Sequence, residues 1–169
     1  VLKAQTSDFC PTVLRICNCH GYSPRMRFDL LPNGLVRDAV LTKQLCVECG
    51  EQWRAFINVE DAARVFVSVL EAYPDTVSGE IFNVGDSSQN LQFNQLINIV
   101  SSLIPGCSVR FIEAKPDLPD YRVSFSKLEK SLKFSPRISI TESLQKLAQH
   151  LENGDIPNPH SSIYHNTLS

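Results

Sequence analysis

The feature that constrains the fold most is the stretch 52–61 (QWRAFINVED), in which a short strand runs directly into a capped helix. Residues 55–57 are strand-prone or apolar, and Asn58 is a favourable N-cap residue. Glu60 and Asp61 then fall in the first helical turn, where acidic side chains complement the helix dipole. This stretch therefore predicts one strand–helix unit of an α/β domain.

The rest of the chain repeats this alternation of strand and helix. Residues 12–17 (TVLRIC) are an almost continuous apolar run, which predicts a strand buried on both faces, as in a parallel sheet. A polar loop containing Gly and Pro is predicted at 18–24. The helix after Asn58 is predicted to bury Ala62, Phe66, Val69, Leu70 and Tyr73 and to end before Pro74. Further strands are predicted at 43–50, 79–85 and 109–111, and further helices at 32–45, 93–104, 126–132 and 140–151. Ser139 and Glu142 are predicted to form a capping box at the start of the last helix.

Composition excludes several classes of partner. The formal net charge is −2 and there is no basic run, which argues against nucleic-acid binding through phosphate neutralisation. No apolar stretch is long enough to span a bilayer. The chain shows no secretion signal, so we expect reduced thiols and a cytoplasmic protein. It begins with Val1, and its first residues resemble the end of a helix; we expect part of a longer protein, with a processed terminus as the alternative.

The six cysteines raise the alternative of a small zinc-binding domain. Cys46 and Cys49 have zinc-ligand spacing, and Cys17 and Cys19 could supply the remaining ligands. Against this, Cys17 and Cys19 continue an apolar strand, where cysteine behaves as a small hydrophobic residue. There is also no second C-x-x-C at zinc-ribbon spacing, so no metal site is predicted.

Three polar residues are candidates for ligand contacts. Asn18 and His20 follow the first predicted strand, and open α/β sheets bind ligands beyond the carboxyl ends of their strands. The alternatives are a turn residue at Asn18 and a solvent-exposed loop residue at His20. Arg54 is either an ordinary surface residue or a planar fork for a phosphate. The sequence has no Gly-rich dinucleotide motif, P-loop or Tyr-x-x-x-Lys pair, so no catalytic residue is predicted.

Four segments taken together resemble a known family. They are 14–21 (LRICNCHG), 52–61, 80–85 (EIFNVG) and 120–136 (DYRVSFSKLEKSLKFSP). In order and approximate spacing they are similar to the LR-x-x-N-x-Y-G, Q-x-R-x-F-x-x-V-x-D, F-N-x-G and R…SK…LGW-x-P segments of the extended short-chain dehydrogenases/reductases. These are NAD-dependent epimerases and dehydratases that act on nucleotide sugars.

The resemblance implies a Rossmann domain with a smaller substrate lobe, of which this chain is the C-terminal portion. Residues 1–20 and 56–86 would be the end of the Rossmann sheet, and 21–55 and 87–152 the substrate lobe. The tail 153–169 is expected to be loosely ordered. The family's Gly-rich loop and Tyr-x-x-x-Lys pair would precede this chain, so these residues alone are expected to be inactive.

The resemblance also implies site residues. Substrate contacts are expected from Asn18, Asn33, Arg54 and Arg122, of which the two arginines would clamp the diphosphate and Asn33 would lie by the base. Contacts to NAD or NADP are expected from Ile16, Cys17 and His20. His20 stands where the family usually has tyrosine. A homodimer of the intact protein is an expectation from the same resemblance. The sugar, the reaction type and the choice of cofactor stay open, as does a non-catalytic module that binds a nucleotide sugar or a protein.

Overall fold

Helices and strands alternate in the computed structural model, which describes residues 2–6, 8–48, 50–112 and 119–166. The strands are β1 (Val13–Ile16), β2 (Asn18–His20), β3 (Gln44–Glu48), β4 (Trp53–Asn58), β5 (Ile81–Val84), β6 (Asn90–Gln92) and β7 (Ser108–Ile112). The helices are α1 (Leu31–Thr42), α2 (Val59–Glu71), α3 (Pro74–Val77), α4 (Phe93–Leu103), α5 (Ser126–Leu132) and α6 (Ile140–Glu152). The predicted α/β class is confirmed.

The strand pairings are mostly parallel. β1 pairs in parallel with β5, β2 with β4 and β3 with β7, whereas β6 lies antiparallel to β4. Only Cys17 separates β1 from β2, so the chain passes from one pairing to the next within a single residue. This change of partner leaves the carboxyl end of β1 open for a ligand.

Buried apolar side chains form two clusters. The larger, termed the lobe core, lies mainly between α1, α4, α6 and β3. The smaller, termed the sheet core, consists of Ile57, Ala62, Val65, Val77, Phe82, Val84, Leu128 and Phe134. Phe56 belongs to the lobe core and Ile57 to the sheet core, because successive side chains of a strand point to opposite faces. β4 is therefore the wall that both cores share.

The predicted helix caps are present. The Asn58 side chain accepts a hydrogen bond from the Glu60 N–H at 2.8 Å, and the Ser139 hydroxyl accepts one from the Glu142 N–H at 3.2 Å. These bonds satisfy amide groups that the first turn of a helix leaves without partners. Among the described residues, no helix combines the length and the apolar character needed to cross a membrane.

The predicted buried face of α2 is confirmed only in part. Ala62 is buried and Val69 packs against the sheet core, but Phe66 is 49% exposed, Leu70 is 84% exposed, and Tyr73, which lies beyond the end of α2, is also 84% exposed. The buried residues of α2 are Asp61, Ala62 and Val65. The apolar residues of this helix cover more than one face, and the face that packs is chosen by small side chains and by the partners of Asp61.

The expectation of a loosely ordered tail at 153–169 is also wrong for the residues described. Ile156 and Tyr164 are buried in the lobe core. The Phe28 N–H donates to the Tyr164 carbonyl at 2.9 Å, and the Tyr164 hydroxyl donates to the Pro157 carbonyl at 3.0 Å. Two apolar anchors are enough to hold a segment whose average composition is polar.

Two smaller differences concern the ends of elements. The loop predicted at 18–24 begins as strand β2, which pairs with β4. Helix α5, which the sequence-based boundaries assign to the substrate lobe, contributes Leu128 to the sheet core, and Phe134 follows it there. Both differences arise from long-range packing that local sequence patterns do not encode.

Candidate functional site

A cavity of about 500 Å³ opens at the carboxyl end of β1 and is termed the β1 cleft. Its lining combines the end of β1, the whole of β2, the segment leading to α1, and single residues from α2 and the turn after residue 118. The lining residues are Ile16, Cys17, Asn18, Cys19, His20, Gly21, Ser23, Arg25, Arg27, Leu30, Asn33, Val59 and Tyr121. The cleft thus brings together five of the seven predicted site residues; Arg54 and Arg122 lie outside this lining.

The two predicted asparagines differ in how many hydrogen bonds their amides form within the protein. Asn18 is half-buried, and its Nδ2 donates to the Ala55 carbonyl at 3.3 Å. Asn33 is buried, its Oδ1 accepts from the Gly21 N–H at 3.0 Å and its Nδ2 donates to the Arg27 carbonyl at 3.1 Å. Asn33 therefore fixes the chain on both sides of the cleft entrance, and its contact with a base stays a prediction.

His20 is 1% exposed, so its interpretation as a solvent-exposed loop residue is wrong. Its Nε2 lies 2.8 Å from Gln89 Oε1 and its Nδ1 lies 2.8 Å from Ser143 Oγ. Gln89 Nε2 donates to Asp86 Oδ2 and to the Ile138 carbonyl, which fixes the orientation of this amide. Gln89 Oε1 is then the acceptor, so the proton of the neutral imidazole is assigned to Nε2.

The tautomer also determines the hydrogen-bond role of the other imidazole nitrogen, Nδ1. With the proton on Nε2, Nδ1 accepts from the Ser143 hydroxyl, which in turn accepts from Asn58 Nδ2 at 2.7 Å. Burial lowers the pKa of His20 to about 4, with smaller opposing contributions from Gln89, Asp61 and Asp86, so the imidazole is neutral at physiological pH. The chain of hydrogen bonds from Asn58 to Gln89 is termed the His20 relay. It joins β2, β4 and α6.

Gly21 stands directly against this relay. Its φ of +109° lies in a region that favours glycine, and a Cβ there would come within 2.7 Å of both Asn58 Nδ2 and Ser143 Oγ. A side chain at this position would therefore push the relay apart. The Gly that follows His20 is a structural requirement of the cleft wall.

The cysteines of the cleft are not activated nucleophiles. Burial raises the pKa of Cys17 to about 12, and burial also raises the pKa of Cys19, so both thiols stay protonated. Cys49 lies outside the described residues. Within the part of the chain that the structure describes, no group of three or more His, Cys, Asp or Glu is arranged to hold a metal ion. The zinc hypothesis gains no support from Cys46, which is exposed and free.

Arg54 borders a second cavity, of about 350 Å³, which is mostly apolar. Its Nη1 donates to the Trp53 carbonyl at 2.8 Å and to the Pro119 carbonyl, and its guanidinium lies 5.3 Å from the centroid of the Tyr121 ring. Tyr121 also lines the β1 cleft. This tyrosine therefore stands where the two cavities approach one another.

Arg122 packs on Trp53, the residue that precedes Arg54 in β4. Its guanidinium lies 3.4 Å from the centroid of the Trp53 ring, and the Trp53 N–H donates to Asp120 Oδ1 at 2.7 Å. Trp53 and Arg54 are neighbours in β4, so their side chains leave the strand on opposite faces. The structure thus brings both arginines to one turn but on different faces of β4. Their convergence on one diphosphate stays a prediction.

Sequence reasoning missed Asp61 as an anchor. Its carboxylate is fully buried, accepts from the N–H groups of Arg137 and Ile138 at 2.9 Å each, and pairs with Arg64. These bonds tie α2 to the segment that enters α6. The V-x-D ending of the 52–61 motif was the available signal, but a local pattern shows only a favourable helix start.

The comparisons with known proteins agree with this architecture. The NAD dependent epimerase/dehydratase family matches residues 2–85. A curated relative, the CDP-abequose synthase of Salmonella typhimurium, is 27% identical over 120 residues, which are 68% of this chain and 40% of that protein.

Solved structures extend the likeness to the rest of the fold. The UDP-glucuronic acid 4-epimerase of Bacillus cereus, in complex with UDP-glucuronic acid and NAD, is 25% identical with a TM-score of 0.71, over 84% of this chain and 45% of that one. The dTDP-glucose 4,6-dehydratase of Bacillus anthracis, in complex with NAD, is 20% identical with a TM-score of 0.70, over 88% of this chain and 47% of that one.

The chain thus spans less than half the length of the proteins it matches. Within that span, the order of strands and helices, the parallel pairings and the open end of β1 are those of a Rossmann-type fold. Residues 2–85 are thus similar to the NAD dependent epimerase/dehydratase family, and the described residues share the fold of solved sugar-nucleotide epimerases and dehydratases.

Proposed function

We propose that this chain is the C-terminal, substrate-binding part of an NAD(P)-dependent nucleotide-sugar epimerase or dehydratase. The observation that carries the proposal is the β1 cleft: it lies at the carboxyl end of a parallel strand, and the described residues that line it include two arginines and no Asp or Glu. Such a lining favours an anionic ligand. The likeness to a CDP-sugar synthase and a UDP-sugar epimerase favours a nucleotide sugar over other anions.

In the proposed complex the sugar occupies the β1 cleft beside Asn18, and the base enters the apolar second cavity, near Leu31 and Asn33. The diphosphate lies between the two cavities, beside Tyr121. Arg54 and Arg122 suit this group because guanidinium forks bind phosphate oxygens through charge-assisted hydrogen bonds. Neither arginine has a carboxylate partner within 4.0 Å among the described residues. Arg122 would have to leave the Trp53 ring to reach the anion.

The cofactor proposal concerns the nicotinamide end of NAD or NADP. Ile16 is 39% exposed at the end of β1 and the neighbouring Cys17 thiol is neutral, which leaves an apolar surface against which the planar nicotinamide ring could pack. The side chain of His20 is committed to the relay, so only its backbone is available for this contact. When bound, the cofactor would take a hydride from the sugar and return it. The residues of this chain would orient the sugar for that transfer.

The chain alone is proposed to be inactive. Its sequence has neither a Tyr-x-x-x-Lys pair nor a Gly-rich phosphate loop, and among the described residues of the cleft no side chain is poised as a general base. The exposed apolar side chains of Leu70 in α2 and of Tyr73 just after it are available for further polypeptide. A homodimer of the intact protein is part of the same proposal. Turnover of a pyridine nucleotide by these residues alone would refute the claim of inactivity.

Calorimetric titration with a panel of nucleotide sugars tests the proposal. We expect saturable binding of at least one of them, weakened about tenfold or more by Arg54→Ala, because charge-assisted hydrogen bonds are worth roughly 1.5–3 kcal/mol. Lys146→Ala is the matched control, since it removes an exposed cation of α6 that lines neither cavity. The proposal fails if no nucleotide sugar binds, or if both variants bind as the parent does.

A further inference from the structure

The β1 cleft contains more positive charge than a neutral sugar requires. Arg25 and Arg27 both line it, and among the residues that the structure describes none in this lining is acidic. The charge of Arg27 is already compensated, because its Nε and Nη2 donate to the two carboxylate oxygens of Asp29 at 2.7 and 2.5 Å. These bonds to Arg27 hold the pKa of Asp29 down at about 2, so its carboxylate is ionised throughout the physiological range.

Arg25 has no such compensation. Its Nη2 donates to Asn166 Oδ1 at 2.8 Å, which is a neutral acceptor. Among the described residues, no carboxylate lies within 4.0 Å of its guanidinium. Asn166 is itself held in place, because its N–H donates to Asp29 Oδ2 at 3.3 Å. The fold therefore positions one guanidinium group at the cleft and leaves its charge without a counterion.

This cation is separate from the two arginines assigned to the diphosphate. Arg54 and Arg122 meet the turn 119–122 and lie outside the lining of the β1 cleft, whereas Arg25 lies in it, in the segment that connects β2 to α1. A ligand that satisfied Arg54 and Arg122 with its diphosphate would still face Arg25 with the part that occupies the cleft. In the proposed complex, that part is the sugar.

We propose that Arg25 binds a carboxylate on the sugar, so that the substrate class is a nucleotide-linked uronic acid. This inference rests on the proposed function. A guanidinium fork and a carboxylate match in planarity and spacing, and the pair replaces water on an otherwise uncompensated charge. A neutral hydroxymethyl group at the same place offers Arg25 only a weaker hydrogen bond and no charge.

Matched ligand pairs test the proposal by calorimetry on the full chain. UDP-glucose and UDP-glucuronate differ only at the sugar C6, as do GDP-mannose and GDP-mannuronate. We expect the carboxylate member of the pair that binds to be preferred at least about tenfold, and the preference to narrow as salt is raised. Arg25→Gln should abolish the preference, and it should do so mainly by weakening the binding of the carboxylate member.

Two further variants sharpen the test. Arg25→Lys retains the charge but loses the fork, so it should restore part of the preference. Lys146→Gln removes one exposed cation elsewhere and should leave the preference intact. Because Arg25 is an exposed side chain, we expect all three variants to fold, which circular dichroism would verify.

The outcomes separate this inference from the proposed function. Equal binding of the two members of a pair would overturn the inference and leave the proposed function standing. Failure of every nucleotide sugar to bind would overturn both. If Arg25→Gln weakened both members equally, Arg25 would belong to the diphosphate site. If it instead weakened only NADP and not NAD, Arg25 would belong to a cofactor phosphate. Either result would overturn the carboxylate assignment.

Discussion

The lobe core and the sheet core use helices of equal length in different ways. α6 and α2 both have 13 residues. α6 is enclosed by α1, α4 and β4, and it buries every apolar residue of its stripe, namely Ile140, Leu144, Leu147, Ala148 and Leu151. α2 packs mainly against β2 and β4 and leaves Phe66 and Leu70 exposed. An amphipathic pattern therefore shows that a helix has an apolar face, whereas its neighbours decide how much of that face is covered.

The largest expected effect contrasts one leucine from each helix. Leu144 is fully buried in the lobe core, whereas Leu70 is 84% exposed on α2. Leu144→Ala should lower the free energy of unfolding by about 3–5 kcal/mol, because it removes apolar contacts and leaves a cavity. Leu70→Ala should change it by no more than about 0.5 kcal/mol. Urea denaturation followed by circular dichroism measures both.

The matched pair tests whether the two cores differ as described. Equal destabilisation by the two substitutions would mean that the exposed face of α2 is covered in solution, for instance by a second copy of the chain. A protein concentration series would identify such self-association, because the apparent stability of a dimer depends on its concentration.

A second prediction concerns the His20 relay, which connects the two cores through β2, β4 and α6. The pKa of His20 is lowered from 6.5 to about 4, so the unfolded state binds a proton that the folded state excludes. The contribution of the neutral His20 imidazole to the free energy of unfolding is therefore complete above pH 6.5 and is lost as the pH falls toward 4. The expected loss between pH 7 and pH 4 is about 3 kcal/mol.

Unfolding free energies measured across this pH range would check whether stability falls as the pH is lowered. Asp61 and Asp86 are the charged groups that act on the imidazole, and both oppose the lowering of its pKa. His20→Gln removes the titrating group and should flatten the curve between pH 4 and 6.5. A variant that retains the parent's pH dependence would show that His20 is not the group responsible.

Much of the fold follows from local sequence. The strand–helix unit at 52–61 with its Asn58 cap and the Ser139 cap are confirmed. The strand predicted at 12–17 is present as Val13–Ile16, but it is not buried on both faces, because Arg15 and Ile16 are exposed. In each case the deciding interaction lies within a few residues, as in the bond from the Glu60 N–H to Asn58. Such interactions leave a readable pattern in a single sequence.

The parts that the sequence did not reveal depend on distant partners. The burial of His20 requires Gln89, 69 residues away, and Ser143, 123 residues away. The C-terminal tail is held by Tyr164, whose carbonyl accepts a hydrogen bond from the N–H of Phe28, a residue that is distant in the sequence. The candidate site divides in the same way. Its position after a strand pointed to Asn18, but no local pattern pointed to Arg25, which stands out only because no acidic residue is found among the described residues of the cleft lining.

The smallest expected change affects ligand affinity and not folding, and it concerns the proposed diphosphate site at Arg54 and Arg122. Trp53 reports on this site directly because it is the chain's single tryptophan. Arg122 lies 3.4 Å from the centroid of its ring and must leave it to bind a phosphate.

The most direct measurement is therefore Trp53 fluorescence during titration with a nucleotide sugar that binds in calorimetry. We expect a saturable change in Trp53 emission, with the same dissociation constant that calorimetry gives. In Arg122→Gln the emission change should be lost and the affinity should fall about tenfold, whereas Lys146→Gln should leave both unchanged. Binding that leaves Trp53 emission constant and that Arg122→Gln does not weaken would contradict the claim that this turn holds the diphosphate.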